Sequence, residues 1–298
     1  MTVRDVRDGA LDRSAHERAV PGLIDDARAD PATRVLVVAG DAAPLAGPDR
    51  LHWVAADAAP HGAEWGFIGR ASDGAALLAA AVEPAELDPF DAPQGWAGLR
   101  TAGGALAGED ADAFVAAVSL GRWLREAPHC PACGARCDVE NAGWSRRCPG
   151  CAREHFPRTD PAVIVAVTSA TDAERVLLGS NALWSADRFS CFAGFAEAGE
   201  SLEAAVHREV REESGVDVVD VRYRGSQAWP YPRSLMLGFF ATAVDDDAAL
   251  ADGEEIAAVR WFTRDEVGDA LAGRSEILLP GPASIAHRLI SGWHGGRS

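Results

Sequence analysis

Apolar and polar positions change period along this chain, and each change marks an element. In the first third, RVLVVAG (Arg34–Gly40), LHWVAAD (Leu51–Asp57) and EWGFIGR (Glu64–Arg70) are short apolar runs between Gly, Pro and Asp, the pattern of strands. Ala75–Val82, stopping before Pro84, reads as a helix. Asp110–Glu126 is a stronger one, with Phe114, Val118 and Leu120–Leu124 at roughly helical spacing. DPFDAPQGWAGLRTAGG between them is a loop. After residue 156, strands are expected at Ala162–Val167, Arg175–Gly179, Arg188–Phe195, Val216–Gly225, Ser234–Val244 and Val259–Thr263. Helices are expected at Arg264–Leu271 and Ala283–Trp293. The fold class is α+β, a mixed sheet with helices packed on it. Three segments follow: 1–127, 128–156 and 157–298.

The most informative helix runs from Ser201, a good N-cap, to Gly215, a good C-terminal stop. At about 100° per residue, Leu202, Val206 and Val210 form one apolar stripe. Glu213 projects between Leu202 and Val206, Glu209 lies at the stripe's edge, and Glu212 slightly further round. Arg208 and Arg211 project elsewhere. Carboxylates on an inward face need a partner, because burying like charges is costly. A hard divalent cation bound through oxygen supplies one, and a merely solvated acidic face does not fit this wheel.

Cysteines carry the second signal. Cys130 and Cys133 form one CxxC pair and Cys148 and Cys151 another, with fourteen residues between the pairs. Four thiolates on two tight turns suit a closed, structural zinc site with no open coordination position. Cys137 reads as a bystander and Cys191 as a buried thiol on a strand. Arg136, Arg146, Arg147 and Arg153 give the ribbon a modest basic presence, but a structural spacer between two domains is the favoured role.

Composition then narrows the setting. The chain has 298 residues and a formal net charge of −17, with every Lys/Arg position an Arg. That acidity argues against broad binding along a nucleic-acid backbone, where affinity comes from neutralising phosphates. Met1–Asp12 is polar, unlike a signal peptide, and no apolar run spans a bilayer, so a cytoplasmic, membrane-free protein is expected. His16, His52 and His61 have no partner at a ligand spacing.

Gly194–Val216 resembles the Nudix hydrolase signature G-x5-E-x7-R-E-U-x-E-E-x-G-U, with U bulky and apolar. Gly194, Glu200, Arg208, Glu209, Val210, Glu212, Glu213, Gly215 and Val216 fill its places. A four-cysteine ribbon before that segment and the stretch Ser226–Ser234 resemble the NADH pyrophosphatases, the NudC type, which also remove NAD caps from RNA. That stretch, SQAWPYPRS, resembles the family's SQPWPFPxS, with Ala228 in place of Pro and Tyr231 in place of Phe. The resemblance covers about residues 96–293.

It implies a Nudix α/β/α sandwich preceded by an N-terminal domain and the zinc ribbon. It implies Zn²⁺ on Cys130, Cys133, Cys148 and Cys151, and more than one Mg²⁺ or Mn²⁺ on Glu209, Glu213 and Glu255, with Glu254 as Glu255's rival. Glu209, Glu212 and Glu213 would be catalytic, with Glu212 a candidate base or ligand, Arg208 orienting a glutamate and Glu200 bracing the loop. Substrate contacts would come from Arg100, Phe156, Ala193, Phe195, Gln227, Ala228, Trp229, Pro230, Tyr231, Pro232, Arg233, Ser234 and Ala286. The family's acidic contact within the ribbon is replaced by Gly143. The expected reaction converts NAD(H) to NMN(H) and AMP, and NAD-capped RNA to NMN and 5′-monophosphate RNA, in a homodimer. Two alternatives are a Nudix hydrolase of ADP-ribose or a dinucleoside polyphosphate, and a non-enzymatic zinc-ribbon protein that binds nucleic acid.

Overall fold

The computed structural model describes residues 11–84, 90–106 and 108–297. The first ten residues of the Met1–Asp12 reading, and Asp88 and Pro89 of the expected loop, lie outside these. The chain divides into two compact units, 1–158 and 159–298.

In the first unit, helix α1 (Leu23–Ala29) precedes a sheet in the order β3 (Arg50–Leu51), β2 (Ala42–Gly47), β1 (Arg34–Ala39), β5 (Ala76–Val82), β4 (Glu64–Arg70), with β6 (Trp96–Gly98) also paired to β2. Two expectations change here. Ala76–Val82 is a strand, parallel to β1 and antiparallel to β4, and every residue of it is buried. Its alanines suggest a helix by propensity, but a central strand covered on both faces is a continuous apolar run, without alternation. Leu78, Ala80 and Val82 join the cluster of Val35, Val37 and Phe67. On the other face, α3 (Glu109–Glu126) packs so closely that a Cβ at Gly121 would lie 3.1 Å from the Ala81 Cβ. The small side chains are what this approach requires. The second change concerns Leu51–Asp57. Only Arg50–Leu51 pairs as a strand, Val54 makes an isolated bridge to Val35, and Ala56–Ala58 is a 3-10 turn.

The expected loop before α3 contains β6 and a one-turn helix α2 (Leu99–Ala102). The cysteine ribbon belongs to this same unit. Its strands β7 (Asp138–Glu140), β8 (Ser145–Arg147) and β9 (Glu154–His155) form a small antiparallel sheet. Trp144 Nε1 donates to the Phe67 carbonyl at 2.7 Å, and buried Arg146 donates to the Leu124 carbonyl at 2.6 Å. Gly143, in the left-handed region at φ 95°, sits where a Cβ would be 2.8 Å from the Gly66 Cα.

The second unit is a mixed sheet ordered β13 (Val218–Trp229), β14 (Ser234–Ala243), β10 (Asp160–Thr168), β11 (Arg175–Asn181), β15 (Ile256–Thr263), with β12 (Phe192–Phe195) antiparallel to β10. Alternate residues of β10 face two cores. Val163, Val165 and Val167 pack under α4 (Leu202–Ser214) with Val206 and Val210. Ile164 and Ala166 pack under α5 (Arg264–Leu271) and α6 (Ile285–His294), with Val267, Leu289 and Trp293. This is the expected three-layer sandwich. Among the described residues, no helix is long and apolar enough to cross a membrane.

The contact between α3 and β5 yields a test. Ala81→Leu puts three carbons where Gly121 already meets Ala81, so overpacking destabilises the protein by about 1–3 kcal/mol, read as a lower urea midpoint.

Candidate active site

Helix α4 begins as its sequence dictates. The Ser201 side chain accepts from Ala204 N, and Gly215 ends the helix at φ 70°. Its last two turns bring Glu209 and Glu213 against β12. Glu213 is 6% exposed, and its carboxylate accepts a 3.1 Å hydrogen bond from Ala193 N. Glu209 lies over Gly194 so closely that a Cβ there would fall 2.0 Å from the carboxyl carbon. The first glycine of the motif is therefore the space in which Glu209 sits.

Arg208 departs from its wheel position. Its long side chain folds over the acids, donating to Glu200 through Nε and an Nη at 2.9 Å, to Glu209 at 2.8 Å and to Glu212 at 2.9 Å. A fifth bond at 2.9 Å reaches the Phe195 carbonyl. A wheel places the Cβ, and a guanidinium reaches several ångströms beyond it. Glu200 also accepts from Glu197 N at 2.9 Å, and these bonds, Arg208's first, hold its carboxyl down to about 2. So Glu200 braces the loop. Glu212 turns outward, its side chain 59% exposed.

One arginine against this many carboxylates leaves the inner pair short of positive charge. Burial pushes Glu213 up to about 8 despite the bond from Ala193, and Glu255, Glu209 and Asp252 add repulsion. Burial also raises Glu209, against the pull of Arg208 and with repulsion from Glu212 and Glu255. It is thus Glu255, rather than its neighbour Glu254, that acts on both inner carboxylates. Sequence reasoning missed what presents Glu255. Asp252 accepts from the N–H groups of Ile256 at 2.8 Å and of Glu254 and Glu255 at 3.2 Å, and Ala182 N donates to the Glu255 carbonyl at 2.8 Å. The Asp-Gly pair at 252–253 is a turn signal that pointed there. Buried, under-neutralised carboxylates with only oxygen donors fit a hard divalent cation.

Gln227–Ser234 ends β13 and opens β14. The rings of Trp229 and Tyr231 stack obliquely, 5.1 Å apart, and the Tyr231–Pro232 bond is cis. Both ends of the Gln227 amide are engaged, donating to Ala283 O at 2.7 Å and accepting from Ile285 N at 2.6 Å. Arg233 pairs with Asp160 at 2.7 Å, and Ser234 is buried. Ala286, on α6, faces the core, Ala228 is exposed on β13, and Phe195 is 54% exposed at the end of β12. Arg100, on α2, and Phe156, 57% exposed, belong to the first unit.

The Sγ atoms of Cys130, Cys133, Cys148 and Cys151 all lie within 4.8 Å of one another. Two pairs are 3.7 and 3.4 Å apart, near the ~3.8 Å that a tetrahedron of Zn–S bonds imposes. Burial opposes ionisation of Cys148, but hydrogen bonds from the Cys133 thiol and the N–H groups of Cys151 and Gly150 hold it down to about 6. Cys137 is buried beside the cluster and outside its ligand set. Cys191 is buried just ahead of β12, and burial pushes it up to about 12.

Residues 158–279 match the family described as NUDIX domain, and residues 125–156 the NADH pyrophosphatase zinc ribbon domain. The NAD-capped RNA hydrolase NudC of Mycobacterium tuberculosis is 44% identical over 237 residues, covering 76% of this chain and 74% of that protein. The chain belongs to the NudC-type Nudix hydrolases. The human NAD-capped RNA hydrolase NUDT12 is 39% identical over 195 residues, 62% of this chain and 42% of that longer protein. In this NudC-type chain the four cysteines form the zinc site of the ribbon. Three of the ribbon's arginines are engaged: Arg136 pairs with Glu64, Arg147 with Glu140 and Glu154, and Arg146 is buried, while Arg153 is exposed.

Burial of Glu213 sets a pH signature. Unfolded, the carboxyl titrates near 4.5; folded, near 8. The folded state holds the extra proton between those values, so stability falls as pH rises from 4.5 to 8 and then levels. In protein without added divalent ion, Glu213→Gln therefore raises the thermal midpoint, by a margin that grows across that window. A margin flat from about pH 5 to pH 9 would place this carboxylate in contact with water.

Proposed function

We propose that the protein hydrolyses the pyrophosphate bond of NAD(H), giving NMN(H) and AMP, and that of NAD-capped RNA, giving NMN and 5′-monophosphate RNA. The observation that carries this reading is the buried, under-neutralised pair Glu209 and Glu213 facing Glu255, in a chain whose relatives bear the NudC name. Glu209, Glu213 and Glu255 hold divalent ions, Mg²⁺ or Mn²⁺. When bound, such ions polarise the phosphoryl oxygens and offset the negative charge that builds up as a P–O bond breaks.

The chain's own groups do the rest. Arg208 fixes Glu209 and Glu212 relative to each other, so the helix presents its carboxylates in one arrangement. The Ala193 N–H holds Glu213 in place from β12. Glu212, turned towards water, is the candidate that accepts the proton of the attacking water, whose oxygen bonds to phosphorus while the bridging oxygen leaves with the other phosphate. Phe195 and the Gln227–Ser234 segment contact the nicotinamide side, with Ala193 and Ala286 as small neighbours; Phe156 and Arg100 are further substrate contacts that the family pattern implies. The working form is a cytoplasmic homodimer, and the zinc ribbon is a structural spacer.

Two measurements test this. Purified protein with Mg²⁺ or Mn²⁺ should convert NADH to NMNH and AMP, resolved by chromatography. A strong preference for ADP-ribose or a dinucleoside polyphosphate over NADH would overturn the substrate assignment. Glu213→Gln should lower kcat by about 1,000-fold, because metal stabilisation of the transition state is worth several kcal/mol. The same variant is the one that gains thermal stability without metal, so loss of fold does not explain its loss of rate. Undiminished turnover by it would remove Glu213 from the site.

A further inference from the structure

The segment Asn181–Phe189, which joins β11 to β12, is absorbed by none of the roles above. Its tip is apolar and open: Leu183 is 93% exposed and Trp184 41% exposed. The Arg188 guanidinium lies 5.1 Å from the Trp184 ring centre, over its face. Asn181 shapes the turn, its Oδ1 accepting from Leu183 N and its carbonyl from Trp184 N, both at 2.9 Å. A single exposed indole is ordinary on a surface, but one held against a guanidinium presents a fixed aromatic face that a planar ligand can cover.

Its position says what does. Ala182 N donates to the carbonyl of Glu255, so the loop is hydrogen-bonded to the residue that carries the third carboxylate. Trp184 follows Ala182 by two residues, which keeps their Cα atoms within about 7.6 Å. The strand registers place the surrounding groups in a row along one end of the sheet. Trp229 pairs with Ser234, Ser234 with Asp160, Ala162 with Phe195, and Asn181 with Ile256. The acids of α4 sit over β12; the Gln227–Ser234 segment thus lies beyond β10 on one side of that strand, and the turn carrying Trp184 lies on the β11–β15 side, its Ala182 N–H bonded to the Glu255 carbonyl.

We propose that Trp184, backed by Arg188, is the stacking platform for the adenine of the leaving AMP half, which is the first nucleotide when the substrate is a capped RNA. This rests on the activity proposed above. A dinucleotide cut at its pyrophosphate extends in both directions from the metal-binding carboxylates. If the nicotinamide half occupies the Gln227–Ser234 side, the other half runs towards β15 and the Asn181–Phe189 loop. An indole offers an adenine the π-face that base stacking needs, and the neighbouring guanidinium favours an anionic nucleotide.

The test compares two substrates with wild-type, Trp184→Ala and Trp184→Phe proteins. One is NADH; the other is the same reduced nicotinamide pyrophosphate carrying a methyl group in place of adenosine. Trp184→Ala should raise KM for NADH about tenfold, the size expected for loss of one base–aromatic stack. Its penalty should shrink to about threefold or less on the methyl substrate, which has no base to stack. Trp184→Phe should restore most of the NADH affinity. Equal penalties on both substrates, or none on NADH, would overturn the platform while leaving the activity standing. A wild-type protein that hydrolyses neither substrate overturns the activity, and this proposal with it.

Discussion

Keeping two carboxylates out of water on the apolar face of one helix is the constraint around which the second unit is organised. Glu213 and Glu209 sit one helical turn apart, above β12, where an ordinary fold places aliphatic side chains. Their burial is possible because three neighbours accept it. Gly194 leaves the space that a methyl group would fill, Ala193 donates its N–H, and Arg208 bridges outward to Glu200 and Glu212. None of these is sufficient, and the inner pair remains short of positive charge. A buried acid that stays partly unsatisfied costs stability unless a cation neutralises it.

That constraint also explains the placement of the loops. Glu255 comes from the far edge of the sheet, and its turn is fixed from within by Asp252 and from outside by Ala182. The sheet beneath is continuous, with β10 paired on both sides and buried from Ala162 to Thr168. The loops at its end inherit precise positions from it, which is the usual division of labour between scaffold and site. The first unit shows a parallel economy. The ribbon buries little apolar area of its own, so its four thiols and its contacts with Phe67 and Leu124 hold it in place.

Much of the candidate site is legible in the order of residues along α4. The wheel put Glu213 inside the apolar stripe and Glu212 outside it, and their burial follows that order. It failed for Arg208, because a projection of Cβ positions ignores the reach of a long side chain. Gln227 illustrates a different limit. The motif marked it as a pocket residue but carried no sign that its amide also bonds the start of α6, a partner nearly sixty residues away in sequence. Ala76–Val82 misled by composition. Alanine favours helix in isolation, but two covered faces and a parallel neighbour outweigh that preference.

The sequence by itself determined the chemistry-bearing helix with its cap and stop, the spacing of the zinc cysteines, the strands of the second unit and the family. These depend on local periodicity and fixed spacing, which a linear string carries in full. Tertiary structure decided the rest: that β5 is a strand, that one arginine ties three glutamates together, that Glu255 rather than Glu254 acts on the inner pair, and that the Ala182 N–H holds the Glu255 backbone. Each of these is set by groups distant in sequence coming within a few ångströms, and the pattern of residues along the chain does not encode which of them meet.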